Sequence, residues 1–575
     1  MTNREVAAAL LELADLAELR DEPDTTYRVR ALRAGARAIE RLTEPVGDLL
    51  ARRALDLVTG IGEGIVRRVD ELLRTGRLAE LDAERAAAGG LVAVARITGI
   101  GPTTARALRD RLGVHNLDDF EAALLSGRLA AFPSLKGRRS DELLQAIDAA
   151  RRPPHKVRRE LAEKEAAPYG EMLAALPSVA QFSFCGSIRR KHELIGDVDY
   201  LVGTDDYKRV GEAAAAHPRT EHVYSRGGRT SVVTWSGMQV DFFCVPPGDF
   251  GWGLHAFSGA KEHVIAVRMH GLKLGYKITE HGVWTDAGAG DRLPGGSEEA
   301  DLFRALDMQY VVPELRENRG EVERAIAWTL PVILEEGDVV GDLHVHSSAG
   351  DGRASLEEIS AAAAARGLGY VAIADHFRLL GEAGVRDAIR RVRAENERTG
   401  GRPRLLAGAE VDILPDGRLD APAALLHQLD WVIGAAHEAL DQPRAQLTAR
   451  LVSAIESGAI DALGHPTGRI VGIRDALDID LPELVAAAAR SDVALELNAH
   501  PDRLDLGDVH AFMARERGAW LCIGSDAHDA AAVGRVLGAV YIARRAWVEK
   551  THVLNTRPVA ELLDLVAARR REAGL

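Results

Sequence analysis

The sequence predicts a multidomain chain of mixed α and α/β class: all-helical domains at the N-terminus, an α+β domain in the middle, and an α/β barrel or parallel sheet at the C-terminus. Three patterns predict it. Residues 1–150 alternate amphipathic helical segments with short glycine-containing turns. Residues 181–245 change to strand-like runs, Gln181–Cys185, Val198–Val202, Ser231–Trp235 and Gln239–Val245, with a helix around Asp206–Ala216. Beyond residue 331 a short apolar strand, a loop carrying His or Asp and an Ala-rich helix recur several times. The length of 575 residues exceeds what one core supports, and at ~100–200 residues per domain it implies three or four.

Composition narrows the class further. The three cysteines, Cys185, Cys244 and Cys522, have no paired spacing, so neither a disulfide framework nor a zinc ribbon follows, and a reducing cytoplasm is expected. No charged segment with an apolar stretch opens the chain, and no run is apolar enough to span a bilayer, so no membrane partner is expected. The formal net charge of −14 does not decide against nucleic acid, because phosphate contact depends on local basic patches such as Lys136–Arg139, Arg151–Arg159 and Arg189–Lys191.

In the helical region, Thr59-Gly60-Ile61-Gly62-Glu63-Gly64 precedes a helix and recurs as Thr98-Gly99-Ile100-Gly101-Pro102-Thr103. Each Gly-hydrophobic-Gly turn lets two helices meet closely and leaves the amides of the next helix free to meet a phosphate. This is the helix-hairpin-helix pattern, and two copies point to sequence-independent DNA contact through Gly60, Gly62, Gly64, Gly99 and Gly101. A weaker echo is Phe132-Pro133-Ser134-Leu135-Lys136-Gly137.

In the α+β region, Cys185-Gly186-Ser187-Ile188-Arg189-Arg190 is followed by Gly196-Asp197-Val198-Asp199, and Val240-Asp241-Phe242 lies on a later strand. Strand alternation puts Asp197 and Asp199 on one face, and a neighbouring strand can bring Asp241 beside them. Nothing protein-borne is expected to neutralise the three, whereas two Mg²⁺ ions would. Gly186 and Ser187 offer close backbone approach and a hydroxyl, and Arg189 and Arg190 positive charge, for a triphosphate.

In the C-terminal region His344, His346, Asp351, His376, Glu410, His437, His465, Asp526 and His528 nearly all sit where an apolar run meets a loop. Such groups are costly to bury without partners, so their accumulation argues for a multinuclear metal site. Mixed imidazole and carboxylate ligation suits Zn²⁺ or Mn²⁺.

Together these residues resemble family X DNA polymerases fused to a polymerase-and-histidinol-phosphatase (PHP) domain, the bacterial and archaeal form. Tyr27-Arg28-Val29-Arg30-Ala31 is similar to the family's opening helix, Phe257-Ser258-Gly259-Ala260-Lys261-Glu262-His263 to its nucleotide-pocket segment, and Pro313-Glu314-Leu315-Arg316-Glu317 to the stretch closing the polymerase half. The resemblance implies helical domains at 1–85 and 86–150, each with a helix-hairpin-helix. A nucleotidyltransferase palm at 151–250, a nucleotide-pocket subdomain at 251–330, a linker at 331–338 and a distorted (β/α)7-type PHP barrel at 339–575 would follow.

The resemblance also implies roles. Asp197, Asp199 and Asp241 would hold two Mg²⁺ or Mn²⁺ ions; Gly186, Ser187, Arg190, Gly196, Phe257 and Gly259 would receive a deoxynucleoside triphosphate, and Arg268 would reach the template. In the PHP half three ions of Mn²⁺ or Zn²⁺ would be held by His344, His346, Glu410 and Asp526; by a bridging Glu410 with His437 and His465; and by Asp351, His376 and His528. His500, and Arg469 after His465, are further candidates for phosphate contact, His500 being otherwise a neutral surface residue. His255, His263 and His281 have no ligand spacing and are expected to be structural.

Four departures from the family pattern stand out. Ala256 replaces the aromatic residue that stacks under the sugar, Val264 the asparagine that reads the minor-groove edge, and Lys191 a glycine. Arg68 occupies the position of the Schiff-base lysine of lyase-active relatives, and a guanidinium stays protonated, so no lyase is expected there. The expected function is a monomeric repair polymerase filling gapped or nicked DNA, with a PHP 3′–5′ exonuclease on 3′ DNA ends and abasic-site cleavage as an option. The rivals are an end-processing nuclease with an impaired polymerase pocket, a non-catalytic DNA-gap scaffold, and, for the PHP half, a small-phosphoester phosphatase.

Overall fold

The computed structural model describes residues 3–573 other than 20–24, 41, 43–44, 76, 89, 96, 98–99, 133–142, 145–146, 148–155 and 226. Gly99, the third hairpin echo beyond Phe132, the basic cluster at 136–139 and most of that at 151–159 lie outside the described residues. The chain divides into two compact units, Met1–Trp328 and Thr329–Leu575. Among the described residues no helix is long and apolar enough to cross a membrane.

The first unit begins with helices α1 (Asn3–Glu18) and α2 (Thr25–Glu40), followed by α3 (Glu63–Thr75) and α4 (Ala79–Ala88). Their apolar stripes, including Leu10, Leu13, Leu32, Ile65 and Leu72, form one core. The first hairpin turn lies just before α3, with Gly60 at φ +93°, a conformation open to glycine at no steric cost, and Ile61 buried beneath it. Gly101 caps α5 (Pro102–Leu112), whose first position is the φ-restricted Pro102. A second core around Leu91, Ile100, Leu108 and Phe120 supports that helix.

The central sheet has strands β1 (Gln181–Cys185), β2 (Asp197–Gly203), β3 (Thr220–Ser225), β4 (Arg229–Thr234) and β5 (Gln239–Val245) in the order β1-β2-β5-β4-β3. Only β2 and β5 pair in parallel. The helix at Tyr207–Ala216 starts where Asp206 accepts the Arg209 backbone N–H. Strand β3 escapes the sequence reading because Glu221 and His222 interrupt its apolar pattern and its residues are mostly half-buried. The helices α6 (Phe250–Ser258) and α7 (Lys261–Lys273) follow.

In the second unit seven parallel strands run in sequence order: β6 (Gly341–Val345), β7 (Tyr370–Ile373), β8 (Arg404–Asp412), β9 (Trp431–Ala435), β10 (Ala462–Leu463), β11 (Ala494–Asn498) and β12 (Leu521–Gly524). A bridge between Val345 and Ala527, with the Asp526 N–H donating to the His344 carbonyl, nearly closes them into a barrel. Unbroken burial along β6, β7, β9, β11 and β12 fits strands covered on both faces.

Candidate functional site

In the first unit, parallel pairing places Asp199 directly opposite Asp241, and alternation puts Asp197 two residues away on the same face. Ligand atoms of the three lie within 4.8 Å of one another. Burial, then the charges of Asp197 and Asp241, raise the Asp199 pKa to about 7, and Arg229 and Arg190 offset only part of this. Carboxylates held together at such cost fit a divalent cation.

The expectation that no protein group neutralises this cluster is corrected by the structure. Arg229 Nη2 lies 2.6 Å from Asp241 Oδ2, Gln239 donates to the same oxygen at 3.1 Å, and Ser231 Oγ donates to Oδ1. The Arg229 guanidinium rests over the Phe243 ring, which stacks on Phe257 at a centroid distance of 4.3 Å. Alternation hid this pairing, because Arg229 belongs to a strand whose register sequence does not state.

Gly186 has φ +62°, and a Cβ there would stand 2.0 Å from Asp199 Oδ2, so only glycine lets the backbone approach the acids. Ser187 follows it within the short Gly186–Arg189 turn. Arg190 is bonded already: Nε to Glu317 Oε1 at 2.8 Å and Nη1 to the Ser258 carbonyl at 2.8 Å. Arg189 is held apart from the pocket by a two-point fork to the buried Glu299. A Cβ on Gly259 would meet His263 at 2.7 Å. Gly196 is exposed just before β2, and Arg268 lies 3.6 Å from Glu280 on a half-exposed part of α7. Lys191 takes a left-handed φ of +60°, and Val264 is buried in α7. His263 meets buried Glu321 at 2.7 Å, a structural pairing.

At the Arg68 position, Nε and Nη2 fork onto Glu80 at 2.6 and 2.8 Å, and Arg28 binds the same carboxylate. This corner of α3 is an ion-pair network.

In the second unit all nine metal-type residues gather where the strands β6, β7, β8, β9, β10 and β12 end. Glu410 stands in the middle: Oε1 is 3.2 Å from His437 Nε2 and 3.0 Å from His465 Nε2, and Oε2 is 3.5 Å from His344 Nε2 and 3.1 Å from His376 Nδ1. Asp526 Oδ1 approaches His346 Nε2 at 3.2 Å. His346 faces two ways, its Nδ1 lying 3.4 Å from Asp351 Oδ1, while His376 and His528 approach Asp351 Oδ2 at 3.5 and 3.6 Å. Four overlapping groups of candidate ligands result, His344/His346/Glu410, Glu410/His437/His465, His346/Asp351/His376/His528 and His376/Asp412/His437, the last bringing in an acid outside the nine.

The donor set fits divalent metal. The Nδ1 atoms of His346 and His376 are buried near Asp351 and Glu410 but at angles that make no hydrogen bond, which a ligated cation would remedy. His465 and Asp526 hold φ of +27° and +53°, strained conformations that the surrounding strands impose. Burial disfavours charge on His344, but Glu496, Asp526 and Glu410 outweigh it and hold its pKa well above the ordinary value.

Sequence reading missed two carboxylates behind the ligands. Glu496 Oε1 lies 2.7 Å from His344 Nδ1 while its Oε2 accepts the His465 backbone N–H at 2.6 Å, and Asp412 Oδ1 lies 2.6 Å from His437 Nδ1. The available signal was an acid inside the apolar run Ala494–Asn498, and an acid two residues from Glu410 on the same strand. Arg469 Nε donates to the Arg503 carbonyl at 3.0 Å, and Arg503 Nε in turn lies 3.3 Å from Asp526. His500 Nδ1 accepts from the Asp502 backbone N–H at 3.3 Å and is over a third exposed.

Family models match as a helix-hairpin-helix domain over residues 1–78, a DNA polymerase beta thumb over 253–317 and a PHP domain over 342–500. The protein named DNA polymerase/3′-5′ exonuclease PolX of Bacillus subtilis (strain 168) is 31% identical over 98% of this chain and 99% of its own length. A probable phosphatase of Thermoanaerobacter sp. (strain X514) is 27% identical over 41% of this chain, and one of Edwardsiella ictaluri (strain 93-146) 31% identical over 40%. With helix-hairpin-helix, thumb and PHP segments in one chain and the Bacillus relative matched end to end, this chain belongs to the family X DNA polymerases that carry a C-terminal PHP domain.

Proposed function

We propose that the chain is a cytoplasmic, monomeric DNA-repair enzyme that fills short gaps by template-directed nucleotidyl transfer and trims 3′ DNA ends in its PHP barrel. The observation carrying this reading is the pair of separate, chemically different metal-ligand clusters in a chain similar over nearly its whole length to a polymerase/exonuclease.

At the palm, Asp197, Asp199 and Asp241 would hold Mg²⁺ or Mn²⁺. Such ions, when bound, make a hydroxyl more acidic and stabilise charge on a phosphate leaving group. Gly186 admits the triphosphate to the backbone, Ser187 and Arg190 bind its outer phosphates, and Phe257 and Gly259 shape the sugar side. Gly196 gives the loop before Asp197 its close approach, and Arg268 faces the template. Gly60, Gly62, Gly64 and Gly101 present helix N-termini to phosphates of gapped or nicked DNA.

At the barrel, the nine residues would hold up to three Mn²⁺ or Zn²⁺ ions. Glu496 and Asp412 keep a proton on Nδ1 of His344 and His437, leaving each Nε2 free as a donor. That set suits phosphodiester hydrolysis at a 3′ end, with abasic-site cleavage as a second substrate.

The test is one gapped duplex incubated with Mn²⁺, with and without nucleotides, both strand termini being read. Gap filling that requires Asp197 and Asp199, and resection that requires His437, are the expected outcome. Resection without any gap filling would leave only the end-processing nuclease. Preference for histidinol phosphate over a 3′ DNA end would reassign the barrel to a small-molecule phosphatase, the name its partial relatives carry.

A further inference from the structure

Arg190, the residue with which the proposed reading binds the triphosphate, does not face an open pocket. Glu317 Oε1 receives Arg190 Nε at 2.8 Å and lies 2.7 Å from His192 Nε2, so one carboxylate oxygen sits between two cationic-type side chains. Arg190 Nη2 and His192 Nε2 are 3.4 Å apart, close enough to share one phosphate oxygen in its place. The carboxylate and Arg190 are largely buried, and His192 is 31% exposed. Arg190 closes the Gly186–Arg189 turn whose Gly186 lies against Asp199.

The neighbouring Arg189 is anchored differently. Two of its nitrogens fork onto Glu299, which also binds the buried Arg316 and Tyr310, so no ligand could exchange for that partner without dismantling the cluster. Arg190 reaches Glu317 through Nε rather than through a two-nitrogen fork, a bond a polyanion can replace.

We propose that Glu317 occupies the place of a nucleotide phosphate and is exchanged for it on binding, and that His192 joins Arg190 as a second triphosphate ligand. Glu317 is then a specificity-setting residue: its charge is a competitor that only a ligand with several negative charges displaces, so mono- and diphosphates bind poorly. This rests on the reading of Arg190 as a triphosphate residue.

The test uses the full chain on a single-nucleotide gapped duplex with Mg²⁺, reading KM and kcat for the nucleotide and inhibition by inorganic tripolyphosphate. Glu317→Gln should lower KM and the inhibition constant together by about 5-fold, with Glu317→Asp, which keeps the charge on a shorter arm, falling between Gln and wild type, and His192→Asn should raise both. Thermal shift by tripolyphosphate reports the same ranking without catalysis and serves if a variant loses activity through misfolding elsewhere. A rise in KM for Glu317→Gln would mean that Glu317 holds Arg190 in position, and no change would mean that it faces no phosphate; either overturns the proposal. Arg190→Ala separates the two failures: if it leaves KM unchanged, the underlying reading of Arg190 is wrong instead.

Discussion

Glu496 and His344, 152 positions apart in sequence, meet at 2.7 Å inside the barrel, and the same carboxylate receives the backbone of His465. One buried acid thus orients ligands on two strands. Glu496→Gln should reduce bound metal and 3′ resection by roughly 10–100-fold, the range for groups that orient a ligand. Gap filling on the same preparation should persist. Metal content measured on the purified protein alongside exonuclease rate decides it, and full metal content in the variant would remove Glu496 from this role.

The three palm acids predict a pH-dependent stability. In the folded chain the Asp199 pKa is raised to about 7 from 3.8, by burial first and then by Asp197 and Asp241. A carboxyl group raised on folding favours the native state below its unfolded value, and that contribution is lost as pH rises through the folded value. Without divalent ions, the wild type should therefore lose on the order of 2 kcal/mol relative to Asp199→Asn between about pH 4 and pH 8. Thermal melts of both proteins across that range check it; parallel curves would exclude the effect. Adding Mg²⁺ at pH 8 should recover stability in the wild type only.

Ala256 stands where the resemblance to family X polymerases puts an aromatic residue under the sugar. Ala256→Tyr should raise discrimination against ribonucleotides by at least about 10-fold, acting by repulsion of the 2′-hydroxyl. Competing deoxy- and ribonucleotide incorporation on one gapped template measures it. Unchanged selectivity would place the sugar elsewhere.

Arg68 is locked onto Glu80, and its guanidinium is not the amine a Schiff base requires. Borohydride treatment of the protein with an abasic-site duplex should trap no adduct on α3. A cross-linked peptide from residues 63–75 would contradict this.

The ligand residues were legible in sequence because their signal is local. A histidine or acid at the end of an apolar run stands out in one dimension, and strand periodicity alone puts Asp197 and Asp199 on one face. The glycine turns before α3 and α5 are local in the same way. Strand β3 was not, since Glu221 and His222 break the alternation of a half-buried edge.

What the sequence by itself determined about this protein was therefore its set of chemical groups, three candidate acids in one half and nine candidate ligands in the other, and the family they belong to. Only the tertiary structure decided which counter-charges those groups meet. Arg229 against Asp241, Glu317 against Arg190 across 127 positions, and Glu496 against His344 are pairings between separate elements. Charge pairing depends on distance in space and on burial, and neither is encoded in the spacing of residues along a chain until strands take their register.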